Sequence, residues 1–415
     1  MHTLSTLFTL ALLPAALAMP TPPKAEAVRI TGLAAAPDLA NLEQHIAAAA
    51  AKLVKLSEIQ PEELAASRKA KRSGYSVPLD GTVYPTGTIS IGTPAQAISV
   101  LFDTGSADLV VPVNTDASST GEVFNTKSSS TFKNTGKEVY AQYLSGDFNG
   151  TIVSDTVSLG GVSIPSQKLL ASTSSNKDAP ATAILGLNFN GVSALQGEKN
   201  FMTNAVANKA LPANLFSLYL DHEGNNAQLI LGGTDSSLYT GSLTPVLTYK
   251  DAKLPFWAVD GLGLSVNGQG VNRAENIVLI DSGSPVNLVS HKIAEDLYAK
   301  IPGSQLAFTQ DFGPLGTVSF YAFPCATPAS VGINLRGADG KTYTFDMNPA
   351  DFIYAPLSED TCVGTFGGVD YPLSRTDGVS RNGTLLGSPF LRSFYSVFSY
   401  GTDGNTPSVS FATAA

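Results

Sequence analysis

The chain carries nearly the same seven-residue sequence twice, VLFDTGS at residues 100–106 and VLIDSGS at residues 278–284. In each copy an apolar run ends in an aspartate, which is followed by a hydroxyl residue, a glycine and a second hydroxyl residue. Such apolar runs predict buried strands, and Asp-Thr-Gly or Asp-Ser-Gly is typical of a tight turn. One copy alone is as consistent with a hairpin turn as with an active site. The repetition favours a shared chemical role for Asp103 and Asp281.

Two carboxyl groups within hydrogen-bond range cannot both ionise easily, so they hold one proton between them. The ionised group can accept a proton from a water molecule while the protonated group donates to a substrate carbonyl. Gly105 and Gly283 permit close backbone approach, and Thr104 and Ser282 can hydrogen-bond across the pair. The two aspartates are therefore predicted to form one acid–base site.

Other catalytic chemistries have little support in the sequence. His222 lies in a polar run that predicts a loop, and His291 begins a predicted helix, without the surroundings of a serine or cysteine nucleophile. Neither a phosphate-binding nor a dinucleotide-binding glycine loop is present. The two cysteines, Cys325 and Cys362, lack a nearby histidine pair for zinc, and in an exported chain they predict one disulfide. We expect no cofactor and no metal.

The N-terminal region has the features of an exported precursor. Residues 1–18 predict a signal peptide, with an apolar run that is too short to cross a bilayer. Residues 19–72 are alanine-rich and end in Lys71 and Arg72, which indicate a dibasic processing site or, alternatively, the charged end of a solvated helix. The sequence therefore predicts a pro-segment that is removed either by a dibasic-processing protease as partner or by self-cleavage, and a secreted, extracellular product with no membrane anchor.

The net charge differs between these parts. Residues 73–415 carry 17 Lys and Arg against 28 Asp and Glu, a net charge of −11, whereas residues 19–72 carry +2. An acidic, lysine-poor chain is a poor nucleic-acid ligand, so no nucleic-acid partner is expected. The opposite charges favour a pro-segment that occupies the acidic cleft until it is removed.

Downstream of the pro-segment the patterning is that of a β protein. Short runs rich in Val, Ile, Thr, Tyr and Phe alternate with Gly, Asn, Asp and Pro. Helices are predicted at 201–208 and 290–301, with a short turn at 349–352. Trp257 lies in a strand-like run and is predicted to belong to the core.

Four further stretches accompany the repeated motif: YPTGTISIGTP at 84–94, ILG at 184–186, LGGTDSSLYTG at 231–241 and LLG at 385–387. Together these residues resemble the pepsin-like aspartic endopeptidases, particularly the secreted fungal members, over about residues 75–413.

The resemblance implies an all-β, bilobal pepsin-like fold, with two β-barrel-like lobes and the active-site cleft between them. It assigns residues 73–245 to an N-terminal catalytic lobe with a flap hairpin and residues 246–415 to a C-terminal catalytic lobe. It also implies that Cys325 and Cys362 form the disulfide of the C-terminal lobe.

The same resemblance implies roles for individual residues, with Asp103 and Asp281 as the catalytic pair. Residues implied to support the two aspartates, the outer serines by hydrogen-bonding them, are Thr104, Gly105, Ser106, Ser282, Gly283 and Ser284. Residues implied to form the flap and the substrate pocket are Tyr143 as the flap tyrosine, Gly146 and Asp147 at the flap tip, and Leu101 and Ile184.

The chain departs from the family pattern at several positions. Val110 stands where the family usually has Trp, so the usual partner of the flap tyrosine hydroxyl is missing. Ser282 replaces the commoner Thr, Ala183 follows Thr182 where Asp-Gly is frequent, and Ser388 replaces a frequent Asp. Neither catalytic carboxylate is affected.

Two sequons, at Asn149 and Asn382, predict N-linked glycans in an exported chain. Asn149 falls on or beside the predicted flap hairpin.

The sequence therefore predicts a secreted aspartic endopeptidase, made as a zymogen, monomeric, and most active on protein or peptide substrates at acidic pH. An alternative is a pepsin-like fold retained as a non-catalytic binding protein, but such proteins normally lose an aspartate or its glycine. A structural surface protein would leave the repeated motif unexplained.

Overall fold

The computed structural model describes residues 74–80, 84–113, 123–143, 146–175, 183–195, 197–222, 226–248, 256–271, 276–311, 317–370, 372–374, 380–401 and 407–415. Within these ranges the side chains of residues 142, 143, 146, 147, 174, 175, 276, 311, 372–374 and 380–382 lie outside the description. All the described residues belong to one compact unit, Pro37–Ala415. The predicted signal peptide and pro-segment, including Lys71 and Arg72, lie outside the described residues.

Strands dominate the described chain. In its first half they are β1 (Tyr75–Pro78), β2 (Thr86–Ile91), β3 (Gln96–Asp103), β4 (Leu109–Pro112), β5 (Lys133–Tyr143), β6 (Gly146–Leu159), β7 (Val162–Ser175), β8 (Ala183–Gly186), β9 (Leu215–Tyr219), β10 (Gln228–Leu231) and β11 (Tyr239–Val246). In its second half they are β12 (Ala258–Val266), β13 (Gln269–Gly270), β14 (Asn276–Ile280), β15 (Asn287–Val289), β16 (Gln305–Asp311), β17 (Thr317–Pro324), β18 (Val331–Arg336), β19 (Thr342–Asp346), β20 (Ile353–Pro356), β21 (Thr361–Gly364), β22 (Phe366–Gly368), β23 (Pro372–Ser374), β24 (Ser380–Leu386), β25 (Phe394–Ser399) and β26 (Ser408–Ala414).

Helices are few and short in the described ranges. They are α1 (Phe201–Ala207), α2 (His291–Tyr298) and α3 (Ser388–Ser393), with 3-10 turns at Thr126–Ser128, Asn190–Val192, Ser236–Leu238 and Pro349–Phe352. The predicted helices near 201 and 290 and the turn at 349–352 are confirmed. The Asn200 side chain accepts the N–H of Thr203, and Ser290 accepts that of Ile293, so both longer helices begin at capping residues. None of the described helices is long and apolar enough to cross a membrane.

The strands form two large sheets, one in each half, and a third sheet that both halves share. The first has seven strands in the order β2-β3-β8-β4-β7-β6-β5, and the second has thirteen, with a central path β12-β14-β24-β15-β22-β17. The shared sheet has the order β1-β10-β9-β25-β26-β11, so β25 and β26 of the second half lie between β9 and β11 of the first. The fold is therefore all-β and bilobal, as predicted.

The two halves repeat one local topology around the two motifs. In the first half, β3 pairs in parallel with β8, β8 pairs antiparallel with β4, and β4 pairs in parallel with β7. In the second half, β14, β24, β15 and β22 follow the same sequence of parallel, antiparallel and parallel pairings. The strand before each aspartate thus occupies an equivalent central position in its sheet.

Aromatic packing joins the two halves. The rings of Phe189 and Trp257 lie 4.4 Å apart between centroids, and Trp257 is 1% exposed, which confirms its predicted place in the core. The carbonyl oxygen of Leu187 accepts from Trp257 Nε1 at 3.1 Å and from the Tyr400 hydroxyl at 2.6 Å. Cys325 and Cys362 form the predicted disulfide.

Candidate active site

Asp103 is the last residue of β3, and Asp281 directly follows β14. Both are buried, with 3% and 2% of their surface exposed. The N–H of Gly105 donates to Asp103 Oδ1 at 2.8 Å, and the N–H of Gly283 donates to Asp281 Oδ1 at 3.0 Å. Each aspartate therefore closes its own turn by accepting from the backbone two residues ahead.

The two turns are hydrogen-bonded to each other by Thr104 and Ser282. Thr104 N–H donates to Ser282 Oγ at 3.0 Å, and Ser282 N–H donates to Thr104 Oγ1 at 2.8 Å. The two hydroxyls then donate across the pair, Thr104 to the carbonyl of Ile280 at 2.9 Å and Ser282 to that of Phe102 at 2.7 Å. Both side chains are fully buried. The side-chain contacts at position 282 are made by the hydroxyl group, which serine and threonine share. Serine therefore makes the same contacts here as threonine would.

The outer serines differ between the two halves. Ser106 Oγ donates to Asp103 Oδ2 at 2.6 Å, as the family resemblance implies. Ser284 Oγ donates to the carbonyl oxygen of Val286 at 2.8 Å, whereas the resemblance implied a bond to Asp281. A hydroxyl has one proton, so the proton of Ser284 is committed to the backbone.

A glycine behind each turn permits close backbone packing. A Cβ on Gly186 would lie 2.4 Å from the carbonyl carbon of Ala107, and one on Gly387 would lie 2.4 Å from the carbonyl oxygens of Ser284 and Val286. Because these neighbours are backbone atoms, they cannot rotate away. The Leu-Gly elements noted in the sequence thus support the two aspartate turns.

Replacing Gly186 with Ala is expected to lower the free energy of unfolding by about 3 kcal/mol, because the added methyl overlaps the backbone behind the Asp103 turn. Gly270→Ala is the matched control, since a Cβ there meets nothing within 4 Å, and its effect should stay within about 0.5 kcal/mol. Urea unfolding of the two variants measures the difference. Equal stabilities would contradict the packing described for Gly186.

Ser388 supports the second turn in a way that sequence reasoning missed. Its hydroxyl donates to the carbonyl of Ser282 at 2.8 Å, and its N–H donates to the carbonyl of Ser284 at 2.7 Å. The residue is fully buried at the start of α3. The sequence showed only that an expected Asp was replaced, which gave no indication of these contacts.

Two tyrosines near the aspartates were not predicted as site residues. Burial raises the pKa of Tyr84 well above its usual value, and its electrostatic interactions with Tyr354 and with the carboxylates of Asp281 and Asp103 raise it further. Burial likewise raises the pKa of Tyr354. Both phenols therefore stay protonated and uncharged beside the carboxylates. Tyr84 falls within a stretch that carried the family resemblance, but Tyr354 lies in no motif.

The hairpin predicted to be the flap consists of β5 and β6, with Tyr143 paired to Gly146. The side chains of Tyr143, Gly146 and Asp147 lie outside the described residues, so their roles stay predictions. Closer to the hairpin base, Phe148 is 2% exposed and shares an apolar cluster with Val110.

The same apolar cluster contains one of the residues predicted to line the substrate pocket. It contains Ile184 as well as Val110, and these two residues are cross-strand partners in β8 and β4. Leu101 pairs with Ile184 on the other side of β8 and is 7% exposed. Val110, at the position of the usual tryptophan, therefore contributes to apolar packing beneath the flap.

Among the described residues, no group of three or more His, Cys, Asp or Glu side chains lies close enough to hold a metal ion.

Comparison with known proteins agrees with this geometry. Residues 84–414 match the family model of the eukaryotic aspartyl proteases. The chain therefore belongs to the eukaryotic aspartyl protease family and is an aspartic-type endopeptidase.

Relatives with similar coverage come from animals and fungi. Gastricsin of Cavia porcellus is 31% identical over 84% of this chain and 86% of its own length. Secreted aspartic protease 1 of Candida albicans is 30% identical over 81% of this chain and 83% of its own length. Vacuolar protease A of Aspergillus fumigatus is 30% identical over 76% of each chain. Protein or peptide substrates follow from this membership.

Proposed function

We propose that the chain is a secreted aspartic endopeptidase, made as a zymogen, that hydrolyses peptide bonds with a water molecule activated between Asp103 and Asp281 and works best at acidic pH. The observation that carries this proposal is the reciprocal hydrogen bonding of Thr104 and Ser282, because it fixes the two buried aspartate turns against each other. A pair of carboxylates held in this way suits general acid–base hydrolysis.

The hydrogen bonds support different roles for the two aspartates. Asp103 accepts from Gly105 N–H and from the Ser106 hydroxyl, and these donors favour its charged form. The Ser284 hydroxyl is directed to the backbone. Asp103 then takes a proton from the attacking water, and Asp281 gives its proton to the carbonyl oxygen of the substrate as the new carbon–oxygen bond forms.

The pH dependence tests this proposal. The pair needs one proton, so activity should fall both when the pair is fully protonated and when it is fully ionised. Hydrolysis of a mixed peptide library between pH 3 and pH 8 should peak below neutrality and be blocked by a statine-type transition-state mimic. A flat profile through pH 8 would contradict the proposal. Absence of hydrolysis at every pH would favour the non-catalytic alternative.

Export, activation and glycosylation form the second part of the proposal. They are supported by the signal-like residues 1–18, the basic end of residues 19–72 and the two sequons. Asn149 is exposed on β6, while the side chain of Asn382 on β24 lies outside the described residues. One of the relatives is named a secreted protease and another a vacuolar one, which leaves the destination to experiment.

N-terminal sequencing and intact mass of the protein collected from the culture medium test this second part. The mature chain should begin at Ser73 and lose mass on enzymatic deglycosylation. Replacing Lys71 and Arg72 should yield a longer, inactive product that runs as a monomer. An uncleaved product with full activity would exclude the zymogen.

A further inference from the structure

Asn188 holds a buried amide group that the fold leaves incompletely bonded. The residue follows β8 by two positions and is 1% exposed. Its Oδ1 accepts the N–H of Phe189 at 2.9 Å, which fixes the orientation of the amide. Its Nδ2 has no acceptor among the described residues. Leaving such a buried donor unbonded is unfavourable, so a partner is to be expected.

A small cavity between the two halves borders this amide. The cavity has a volume of about 10 Å³, which is enough for one water molecule. The lining residues are Thr104, Gly105 and Asn188 from the first half, and Phe256, Trp257, Leu279, Ile280, Asp281 and Leu385 from the second. Most of these are apolar, and Asp281 contributes the carboxyl group among the lining residues.

The chemistry of the amide determines how a water molecule would be oriented there. Nδ2 is only a donor, so a water bonded to it accepts through its oxygen and has both hydrogens free to donate. One of them can donate to Asp281 because that carboxylate lines the same cavity. The corresponding hydroxyl, that of Ser284, donates to Val286.

We propose that Asn188 is a positioning residue that holds one water molecule in this cavity, and that this water donates a hydrogen bond to Asp281. This inference rests on the proposed function. A donor to a carboxylate favours its charged form, so the water lowers the pH at which the pair loses its last proton. Asn188 thereby sets the upper pH limit of activity.

The other titratable groups in this region are Asp103, Tyr84, which interacts with both aspartates, and Tyr354, which interacts with Tyr84. Both phenols have raised pKa values and stay neutral across the assay range. All three groups remain in the variants below. The fall of activity on the alkaline side of the pH profile, the alkaline limb, therefore reports on Asn188 when it shifts.

The pH profile of kcat/KM tests the inference. Asn188→Leu removes the amide and fills its space, and it should move the alkaline limb upward by about half to one pH unit; a full unit corresponds to roughly tenfold higher relative activity beyond the limb. Asn188→Ala leaves room for more water and should give a smaller shift. If Asn188 had a purely structural role, its variants would lose kcat/KM by the same factor at every pH, and the alkaline limb would not move.

Asn287 supplies the matched control. It is fully buried, its Oδ1 accepts the N–H of Gly387 at 2.8 Å, and its Nδ2 also has no acceptor in the described part of the chain. It does not line the cavity beside Asp281. Asn287→Leu should lower stability without moving the alkaline limb.

A high-resolution crystal structure gives a readout that does not depend on activity or on the folding of any variant. It should show a water within hydrogen-bond distance of both Asn188 Nδ2 and the Asp281 carboxylate. Absence of this water, or an unmoved limb in both Asn188 variants, would overturn the inference. Failure of the wild-type protein to hydrolyse peptides would instead overturn the proposed function, and the crystal structure would still decide the water site.

Discussion

Asp281→Asn is expected to lower kcat by at least about 10³-fold while leaving the fold intact. An asparagine keeps the oxygen that accepts the Gly283 N–H, so the turn can still close. It cannot hold or release the proton that a coupled pair passes to the substrate. Thermal unfolding and near-ultraviolet circular dichroism of the variant should match the wild type. Asp103→Asn should behave in the same way.

Asp108→Asn controls for the burial of a carboxylate, since Asp108 is a buried aspartate five residues after Asp103. Asp108 is 2% exposed, but it accepts from the N–H of Ala194 at 2.8 Å and from the Ser193 hydroxyl, within its own half. Its replacement should cost about 1–3 kcal/mol of stability and keep kcat within about tenfold. Comparable losses of kcat in the Asp108 and Asp281 variants would show that burial, and not proton transfer, explains the effect.

The parts of the structure that follow from local sequence could be predicted. The apolar run, the aspartate and the glycine of each motif specify a strand that ends in a turn. A short polar residue before each helical run specified the helix starts near 201 and 290. These features depend on neighbours in the chain, so their signals lie within a few residues.

Contacts between distant residues could not be predicted in this way. The Ser388 hydroxyl donates to the carbonyl of Ser282, 106 positions away in the chain. Asn188 acquires its cavity only when residues of the second half pack against it. His222 was predicted as a loop residue, and it is one, but its partner Asp351 lies 129 positions away.

The second large effect is expected at Asp351, which joins the two halves away from the cleft. This carboxylate is 2% exposed and accepts from Arg392 Nε at 3.1 Å and from the Ser393 hydroxyl at 2.6 Å. His222, from the loop between β9 and β10, contacts it through Nδ1 at 3.0 Å. Asn348 completes the cluster at His222 Nε2, 3.0 Å away.

Asp351→Ala should lower the free energy of unfolding by about 3 kcal/mol, because it leaves the guanidinium of Arg392 buried without its counter-charge. The Arg392 side chain is 14% exposed, so water cannot fully replace the carboxylate. For a chain of this size the loss corresponds to a decrease in Tm of roughly 4 °C. Urea unfolding in the Asp281→Asn background would avoid self-digestion.

Two comparisons separate this explanation from a general effect of losing an aspartate. Asp339 pairs with Lys341 at 2.9 Å on the surface, where their side chains are 42% and 75% exposed, and Asp339→Ala should leave the urea midpoint nearly unchanged because water replaces the contact. Combining Asp351→Ala with Arg392→Met should recover part of the lost stability, because no buried charge is left unpaired.

The Asp351 cluster also bears on activity, since Arg392 and Ser393 lie on α3, the helix that begins at Ser388 and supports the second catalytic turn. Asp351→Ala should therefore lower the temperature at which peptide hydrolysis is lost by about as much as it lowers Tm, with the same pH limbs as the wild type. Unchanged stability in Asp351→Ala, or no recovery in the double variant, would contradict a buried ion pair that holds α3 in place.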